Sequence, residues 1–301
     1  MTGKPVDGAA KVEPSAAAVT VASSSGRSGF APRDWDFGAD TVVDTGRSVR
    51  LTVDQKHRQG YIWSKEPLPN DTWRVEFDMQ VSGHGSYLFG DGMAMWATTD
   101  RAKQGSVFGS TDYFNGLGLF FDTYANGRHP FNFPWVMGML GDGKQSYDHS
   151  NDGLNQRAAD CEGAQFRTTE GPTRVRVTYS KGEFLEVTIR TPFDEEPKHC
   201  FTLDKVTLPD NLYLGFTAMT GEVSDNHEII SVVSETLKDP KTPIAHIASS
   251  GKVIQKPSGS LMAGVDAGGL LLKLLVFSAF VGVIYFAYQK SQNGGKNNRR
   301  F

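Results

Sequence analysis

Between Trp35 and Leu237 the chain is built from short runs in which apolar and polar residues alternate. Trp73–Val81 is the cleanest: Trp73, Val75, Phe77, Met79 and Val81 are apolar, and Arg74, Glu76, Asp78 and Gln80 between them are polar. Successive side chains of a strand point to opposite faces, so this period of two predicts a strand with one dry and one wet face. Arg174–Tyr179 and Leu185–Arg190 repeat it. Gly92–Trp96, Gly116–Asp122, Val136–Leu140 and Tyr213–Met219 are apolar or glycine-rich nearly throughout, as strands covered on both faces are. Turn sequences separate the runs: Gly141-Asp142-Gly143, Asn151-Asp152-Gly153 and Pro209-Asp210-Asn211. No long amphipathic helix is legible here. The expected fold is all-β, a two-sheet antiparallel β-sandwich of jelly-roll type over residues 30–237.

The pattern changes on either side. Residues 1–29 are rich in Ala, Ser and Gly without apolar periodicity and read as a disordered segment. The run Ala16–Ala22 is short and broken by Thr20, so no secretory signal is legible. Residues 238–266 hold Pro240, Pro243 and Pro257 among Ser and Gly and read as a stalk. The stalk lacks heptads, which predicts a monomer or weak dimer rather than a coiled coil. Leu270–Tyr288 has 19 residues with one charge, Lys273. At about 1.5 Å per residue it matches a bilayer core of roughly 30 Å, so a single transmembrane helix is expected over 267–288. Lys273, near one end, can snorkel to the headgroups. Residues 289–301 carry Lys290, Lys296, Arg299 and Arg300 and no acid. The positive-inside rule then puts this tail in the cytosol and the β domain across the membrane; a tail-anchored protein would have the opposite placement.

Composition narrows the classes further. The 301 residues hold 31 Lys and Arg against 34 Asp and Glu, a net charge of −3, so there is no basic field for nucleic acid. A hydrophobic share of 39% is enough to build a core and excludes a disordered chain. Cys161 and Cys200 cannot form a four-thiolate zinc site. They leave two readings: a disulfide in a lumenal domain, worth about 2–4 kcal/mol, or two unpaired buried thiols. Asn70-Asp71-Thr72 has the form of a glycosylation acceptor, which also points to the lumen.

Four segments gather oxygen-bearing side chains: Gly90-Asp91-Gly92, Asp122–Asn126, Tyr147–Gly153 and Thr220–His227. Asp, Asn and backbone carbonyls are hard donors of the kind Ca²⁺ takes, and Asp122, the Tyr124 carbonyl, Asn126 and Asp152 would supply them from two loops. Each segment read alone is an ordinary turn. The spacing is not that of an EF-hand. His57, His84, His129, His199, His227 and His246 show no zinc spacing.

An enzyme is the competing class, since sandwiches also host glycoside hydrolases that need two carboxylates in one cleft. Glu76 and Asp78 share a strand face, but Gln80 leaves the acidic row incomplete. No nucleophile elbow, phosphate loop or dinucleotide fingerprint occurs.

Taken in order, several motifs carry a resemblance. Val49–Thr52, Gly60–Trp63, Gly90–Trp96, Val107-Phe108-Gly109, Phe120–Tyr124, Ser146–His149 and Leu214–Ala218 are similar to those of the leguminous-type (L-type) lectin cargo receptors of the early secretory pathway, most of all the vesicular integral-membrane lectins. The resemblance covers residues 35–237 and extends to the spanning helix and short basic tail. It implies a concanavalin-like sandwich and a Ca²⁺-dependent lectin for high-mannose N-glycans on cargo glycoproteins. The implied calcium ligands are Asp122, Tyr124 through its carbonyl, Asn126 and Asp152. The implied sugar contacts are Asp91, Asn126, His149 and the Gly221-Glu222-Val223 loop, with Tyr124 offering a ring face and a cis peptide before Asp91. A structural role for His149 is the alternative; as a glycan contact, its protonation on acidification would weaken binding.

Two departures bear on specificity. His57 stands where close relatives have Ser, and Glu222 where they have Asp. The tail ends in Arg299-Arg300-Phe301, which departs from the dilysine retrieval form. It resembles a trafficking signal that binds vesicle coat proteins, or it contacts only the anionic leaflet. The expected protein is a non-enzymatic type I membrane lectin of the endoplasmic reticulum, its intermediate compartment and the Golgi. The other readings are an adaptor with a degenerate sugar site and, less well supported, a glycoside hydrolase.

Overall fold

The computed structural model describes residues 34–237. The expected N-terminal segment, stalk, membrane span and cytosolic tail lie outside the described residues. No helix among the described residues is long and apolar enough to cross a membrane.

Fifteen strands, numbered along the chain, account for the described fold. One antiparallel sheet runs, in spatial order, β1 (Trp35–Ala39), β4 (Gln59–Pro67), β14 (Tyr213–Met219), β6 (Gly92–Thr98), β8 (Asn115–Asp122), β9 (Trp135–Asp142) and β10 (Ala159–Glu162). The other runs β13 (Lys198–Asp204), β12 (Phe184–Arg190), β11 (Thr173–Ser180), β5 (Thr72–Ser82), β15 (Asn226–Thr236), β3 (Ser48–Thr52) and β2 (Val42–Asp44). The short β7 (Gln104–Val107) joins neither. This is the two-sheet sandwich that the alternation predicts.

The periods explain where each strand sits. On β5 the odd-numbered residues Trp73–Val81 are all buried, and they pack between the sheets. Phe77 presents its ring edge-on to Phe121 of β8 and Phe216 of β14, at 5.9 and 4.9 Å, so the sheets interlock through aromatic contacts. Cavity costs of about 3–5 kcal/mol for a buried Phe→Ala change put Phe77 among the residues the fold can least spare. All seven residues of β6 are buried. A second apolar cluster covers its far face, with Trp96 and Phe120 packed against Phe108, Phe114 and Tyr147. Two covered faces are why β6, β8 and β9 read as continuously apolar.

The wet face of β5 resolves the enzyme question locally. Glu76 and Asp78 lie directly opposite Arg176 and Arg174 of β11. Arg174 holds Asp78 by two bonds of 2.8 and 2.9 Å, and Arg176 Nη2 meets Glu76 Oε2 at 2.6 Å. Such cross-strand pairs stabilise a sheet and leave neither carboxylate free for acid–base work.

Cys161 of β10 and Cys200 of β13 form a disulfide with Cα atoms 5.2 Å apart, which decides between the two readings of these residues. It ties the edge strand of one sheet to an edge strand of the other.

Candidate functional site

Strand β8 ends at Asp122, which pairs with Gly92 of β6, so the loops after Asp122 and before Gly92 leave the sheet side by side. Asp122 Oδ1 accepts the Tyr124 N–H at 2.9 Å, an Asx turn that starts the 122–126 loop. Thr123 closes the other side, its N–H donating to the Asp91 carbonyl at 3.0 Å. The peptide joining Gly90 to Asp91 is cis.

Asp152 arrives from a second loop. A short 3-10 turn, His149–Asn151, is capped by Asp148, whose side chain accepts the Ser150 N–H. Asp152 follows with φ of 51°, a left-handed conformation that Asp tolerates better than most residues. Its carboxylate is fully buried and accepts from Asn126 N at 2.9 Å, Asn126 Nδ2 at 2.5 Å and His129 Nε2 at 2.6 Å. The loops carrying Asp122, Asn126 and Asp152 therefore meet at one place.

The electrostatics there are unfavourable as they stand. Asp122 is 3% exposed and has its pKa raised well above the ordinary carboxylate range, first by burial and then by Asp152 and Asp91. Burial and the Asp152 charge likewise push Asp91 up to about 6. No Lys or Arg contributes to either shift, and Asp152 is paired with the His129 imidazole at 2.6 Å. No three His, Cys, Asp or Glu side chains form a ready metal cage among the described residues. The set is instead two carboxylates, an amide and a backbone carbonyl, the donor mixture that suits a hard cation such as Ca²⁺. A divalent ion fits because it would supply the missing counter-charge. Asn126 now turns its amide nitrogen toward Asp152. A half-turn of that amide presents the oxygen instead.

The expected sugar contacts surround Asp91. A side chain on Gly221 would lie 3.1 Å from Asp91 Oδ2, so the loop backbone runs directly against that carboxylate. At Gly90, φ is +155° and an added Cβ would sit 2.7 Å from Tyr124 Cβ and 3.1 Å from Val223 Cγ2. Only glycine lets these three segments close together. His149 is exposed on its turn, with Nε2 3.2 Å from Ser106 Oγ and its ring edge-on to Tyr147. Asp91, Tyr124 and the Gly221-Glu222-Val223 loop are thus brought together, with Asn126 and His149 on the adjoining loops.

Glu222 and His57 take positions the sequence could not specify. The Glu222 carboxylate accepts from Lys56 Nζ at 2.9 Å and lies 3.3 Å from His57 Nε2. Lys56 and then His57 hold its pKa below the usual value. The backbones are joined as well: His57 N–H donates to the Gly221 carbonyl, Arg58 N–H to Thr220 Oγ1, and Thr220 N–H to the Arg58 carbonyl. Segment 55–58 therefore straps the 220–222 loop in place.

Three residues at the site escaped the sequence reading. Lys56 and Ser106 contact their partners from 166 and 43 residues away, with no local signal to mark them. His129 follows Asn126 by three residues and stacks on Phe131, at 4.9 Å, which turns its imidazole toward Asp152. The aromatic run after Asn126 was the one available clue.

A β-sandwich in which a cis-peptide Asp, a buried Asp/Asn loop pair and a glycine-led loop converge at one edge defines a lectin of the legume type. The sequence pattern of the legume-like lectin family matches residues 22–243, and the chain belongs to that family. The vesicular integral-membrane protein VIP36 of Mus musculus is 35% identical over 290 residues, covering 89% of this chain and 78% of the relative. Among solved structures, the VIP36 exoplasmic/lumenal domain in its Ca²⁺/Man2-bound form is similar with a TM-score of 0.66. It is 40% identical and covers 70% of this chain and 84% of that one. The metal-free form of the same domain also gives 0.66, at 40% identity, covering 68% of this chain and 86% of that one. The family is one of carbohydrate-binding proteins, not enzymes, in keeping with the paired Glu76 and Asp78.

Proposed function

We propose that the protein is a Ca²⁺-dependent lectin for the terminal mannose of high-mannose N-glycans. The observation that carries this reading is a set of carboxylates, the buried Asp122 and Asp152 with the half-buried Asp91 beside them, that no Lys or Arg neutralises, packed against a loop of backbone amides. Asp122, Asn126, Asp152 and the Tyr124 carbonyl would hold the ion. When bound, the ion supplies positive charge that keeps these loops together. Asp91 accepts from adjacent sugar hydroxyls, the Asn126 amide and Gly221–Val223 backbone offer donors, and His149 closes the rim. The Tyr124 ring gives a face for the sugar's C–H side. Likeness to VIP36 domains that carry Ca²⁺ and mannose supports both the ion and the ligand.

The finer reading follows the same relatives. Residues 30–237 form the lumenal lectin domain, residues 238–266 a stalk, residues 267–288 the single membrane span and residues 289–301 a cytosolic tail that engages vesicle coat proteins. In that arrangement the protein carries glycoprotein cargo between the endoplasmic reticulum and the Golgi. Titrating the full-length chain with a free high-mannose glycan, with calcium and then with chelator, tests the core of it. Calcium-dependent binding is expected, and binding indifferent to chelator would sink the proposal.

A further inference from the structure

One motif of the sequence takes no part in the sugar site. Asn70-Asp71-Thr72 is the only place in the 301 residues where an Asn stands two positions before a Ser or Thr. It forms the bend between β4 and β5, where Asn70 and Asp71 are both exposed. The bend is pinned on either side. The buried Leu68 donates its N–H to the Leu212 carbonyl at 2.7 Å, and Thr72 opens β5 opposite Ser180 of β11.

The Asn70 amide is held by one of its two polar atoms. Its Oδ1 accepts the Asn211 N–H at 2.9 Å, while Nδ2 has no hydrogen-bond partner among the described residues. N-glycosylation replaces one hydrogen on Nδ2 and leaves the oxygen an acceptor. The fold thus relies on the atom that the modification spares. The surroundings are polar: Lys181 N–H donates to the Asp71 carbonyl at 2.8 Å, and Lys181 Nζ to Asp210 at 2.6 Å. Asp210 and Asn211 are exposed, and none of the large exposed hydrophobic side chains belongs to this surface.

Strand register places the bend relative to the sugar site. Pro67 of β4 pairs with Tyr213 of β14. At the other end Gln59 pairs with Met219, which lies opposite Gly92, the neighbour of Asp91. At about 3.3 Å per residue, β4 alone spans roughly 25 Å between these ends. The other sheet agrees, since β5 starts at Thr72 and ends at Ser82, on the side that leads to Asp91. Thr236 pairs with Trp73, so the described chain also ends beside the bend. Asn70 and the sugar site occupy opposite ends of the sandwich.

We propose that Asn70 carries an N-linked glycan, placed at the end of the domain away from the sugar site. This rests on the lumenal placement proposed above. The donor is an oligosaccharide borne on a lipid pyrophosphate, and the Thr72 hydroxyl completes the acceptor triplet. In the transfer, Asn70 Nδ2 bonds to the anomeric carbon and that carbon's bond to the pyrophosphate oxygen breaks. The amide proton leaves with the lipid pyrophosphate.

The test uses the full-length protein in sealed membranes of cells that make it, wild type beside Asn70→Gln, Thr72→Ala and Thr72→Ser. Gel mobility is read before and after peptide N-glycosidase, and protease outside the vesicles reports which side holds the lectin domain. Wild type and Thr72→Ser should each lose one mobility step, with Asn70 recovered as Asp; the other two variants should lose none. Asn70→Gln should still bind methyl α-mannoside within about twofold of wild type, as distant sites are independent. No mobility step in a wild type whose domain is protected overturns the proposal and leaves the lectin reading standing. No step with the domain digested defeats the lumenal placement and the proposal with it. A step that survives Asn70→Gln overturns it, because the glycan is then elsewhere. So does a several-fold rise in mannoside affinity on removing the glycan, which would put the glycan in the chain's own sugar site. The mobility step needs no sugar binding, so a wild type that shifts but binds no mannoside fails the lectin reading alone.

Discussion

Two groups of acidic residues in this molecule are treated in opposite ways. On the outer face of β5, Glu76 and Asp78 each face an arginine across the strand pair and are held by it. At the loop edge, Asp91, Asp122 and Asp152 lie together, Asp152 is paired with the His129 imidazole, and Asp91 and Asp122 are driven toward the neutral form with no Lys or Arg contributing. A carboxylate that the protein neutralises itself is part of the scaffold. One left with its charge unopposed in a buried place has its partner elsewhere, and that difference separates structure from function more sharply than the residue types do.

The largest effect that tests the contrast is loss of a site acid. Asp122→Ala should abolish calcium-dependent glycan binding, a fall of at least ~100-fold, since first-contact ligand loss removes both charge and loop order. Glu76→Gln, the matched change on the outer face, should leave binding within about twofold. Isothermal titration with the same glycan reads both. Equal losses would mean that the two groups of acids do not differ in role.

How far this division was legible beforehand depends on whether the contacts are local. The alternation of Trp73–Val81 already separated dry Val75 and Phe77 from wet Glu76 and Asp78, because strand geometry is a property of neighbouring residues. The long central strand β15 was not legible: a register shift between Ile229 and Ser231 breaks its period of two. β7 and β10, at four residues each, are too short to show any period. For the site, spacing identified the turns but not their convergence; the resemblance to a lectin family grouped them. Even so it missed Lys56, Ser106 and His129, whose roles depend on approaches across space. Nor did it foresee that Glu222, one of the departures from the family, would be held by Lys56 and His57.

A middle-sized effect concerns stability alone. Asp78→Ala leaves Arg174 without its bidentate partner on a face where both side chains are partly shielded, 44% and 11% exposed. Partial solvent access lets the arginine recover water, so the loss should be about 1–2 kcal/mol rather than the cost of a fully buried charge. Urea denaturation should show it as a lower midpoint with unchanged slope, and sugar affinity should not move. Asp225→Ala, which strands the nearly buried Arg167, should cost more, about 3–5 kcal/mol. If the two variants were equally stable, burial would not be what sets the value of an acid–arginine pair here.

The smallest effect is a difference in pH dependence between the metal-free and calcium-loaded protein. Asp91 has a folded pKa of about 6, above its ordinary 3.8. Its contribution to metal-free stability is therefore complete below 3.8 and disappears as pH rises through 6. Asp122 is raised in the same direction. Lowering the pH from about 7.5 to 5 should thus stabilise the metal-free site. Asp54 works the other way: Ser224 and His84 hold it at about 2, so its contribution is present above 3.8 and lost only toward pH 2, outside this window. With calcium bound the sign reverses, because protons compete with the ion for the same carboxylates. The gap in melting temperature between calcium-loaded and chelated samples should therefore be widest near pH 7.5 and narrow by a few degrees toward pH 5, as a partly exposed group worth about 1–2 kcal/mol predicts. Groups remote from the site cancel in that difference, which is why it, and not either melting curve alone, reports on the acids left unpaired. A gap that stays constant across the window would mean that the site carboxylates are already neutralised by the protein, as those on the outer face are.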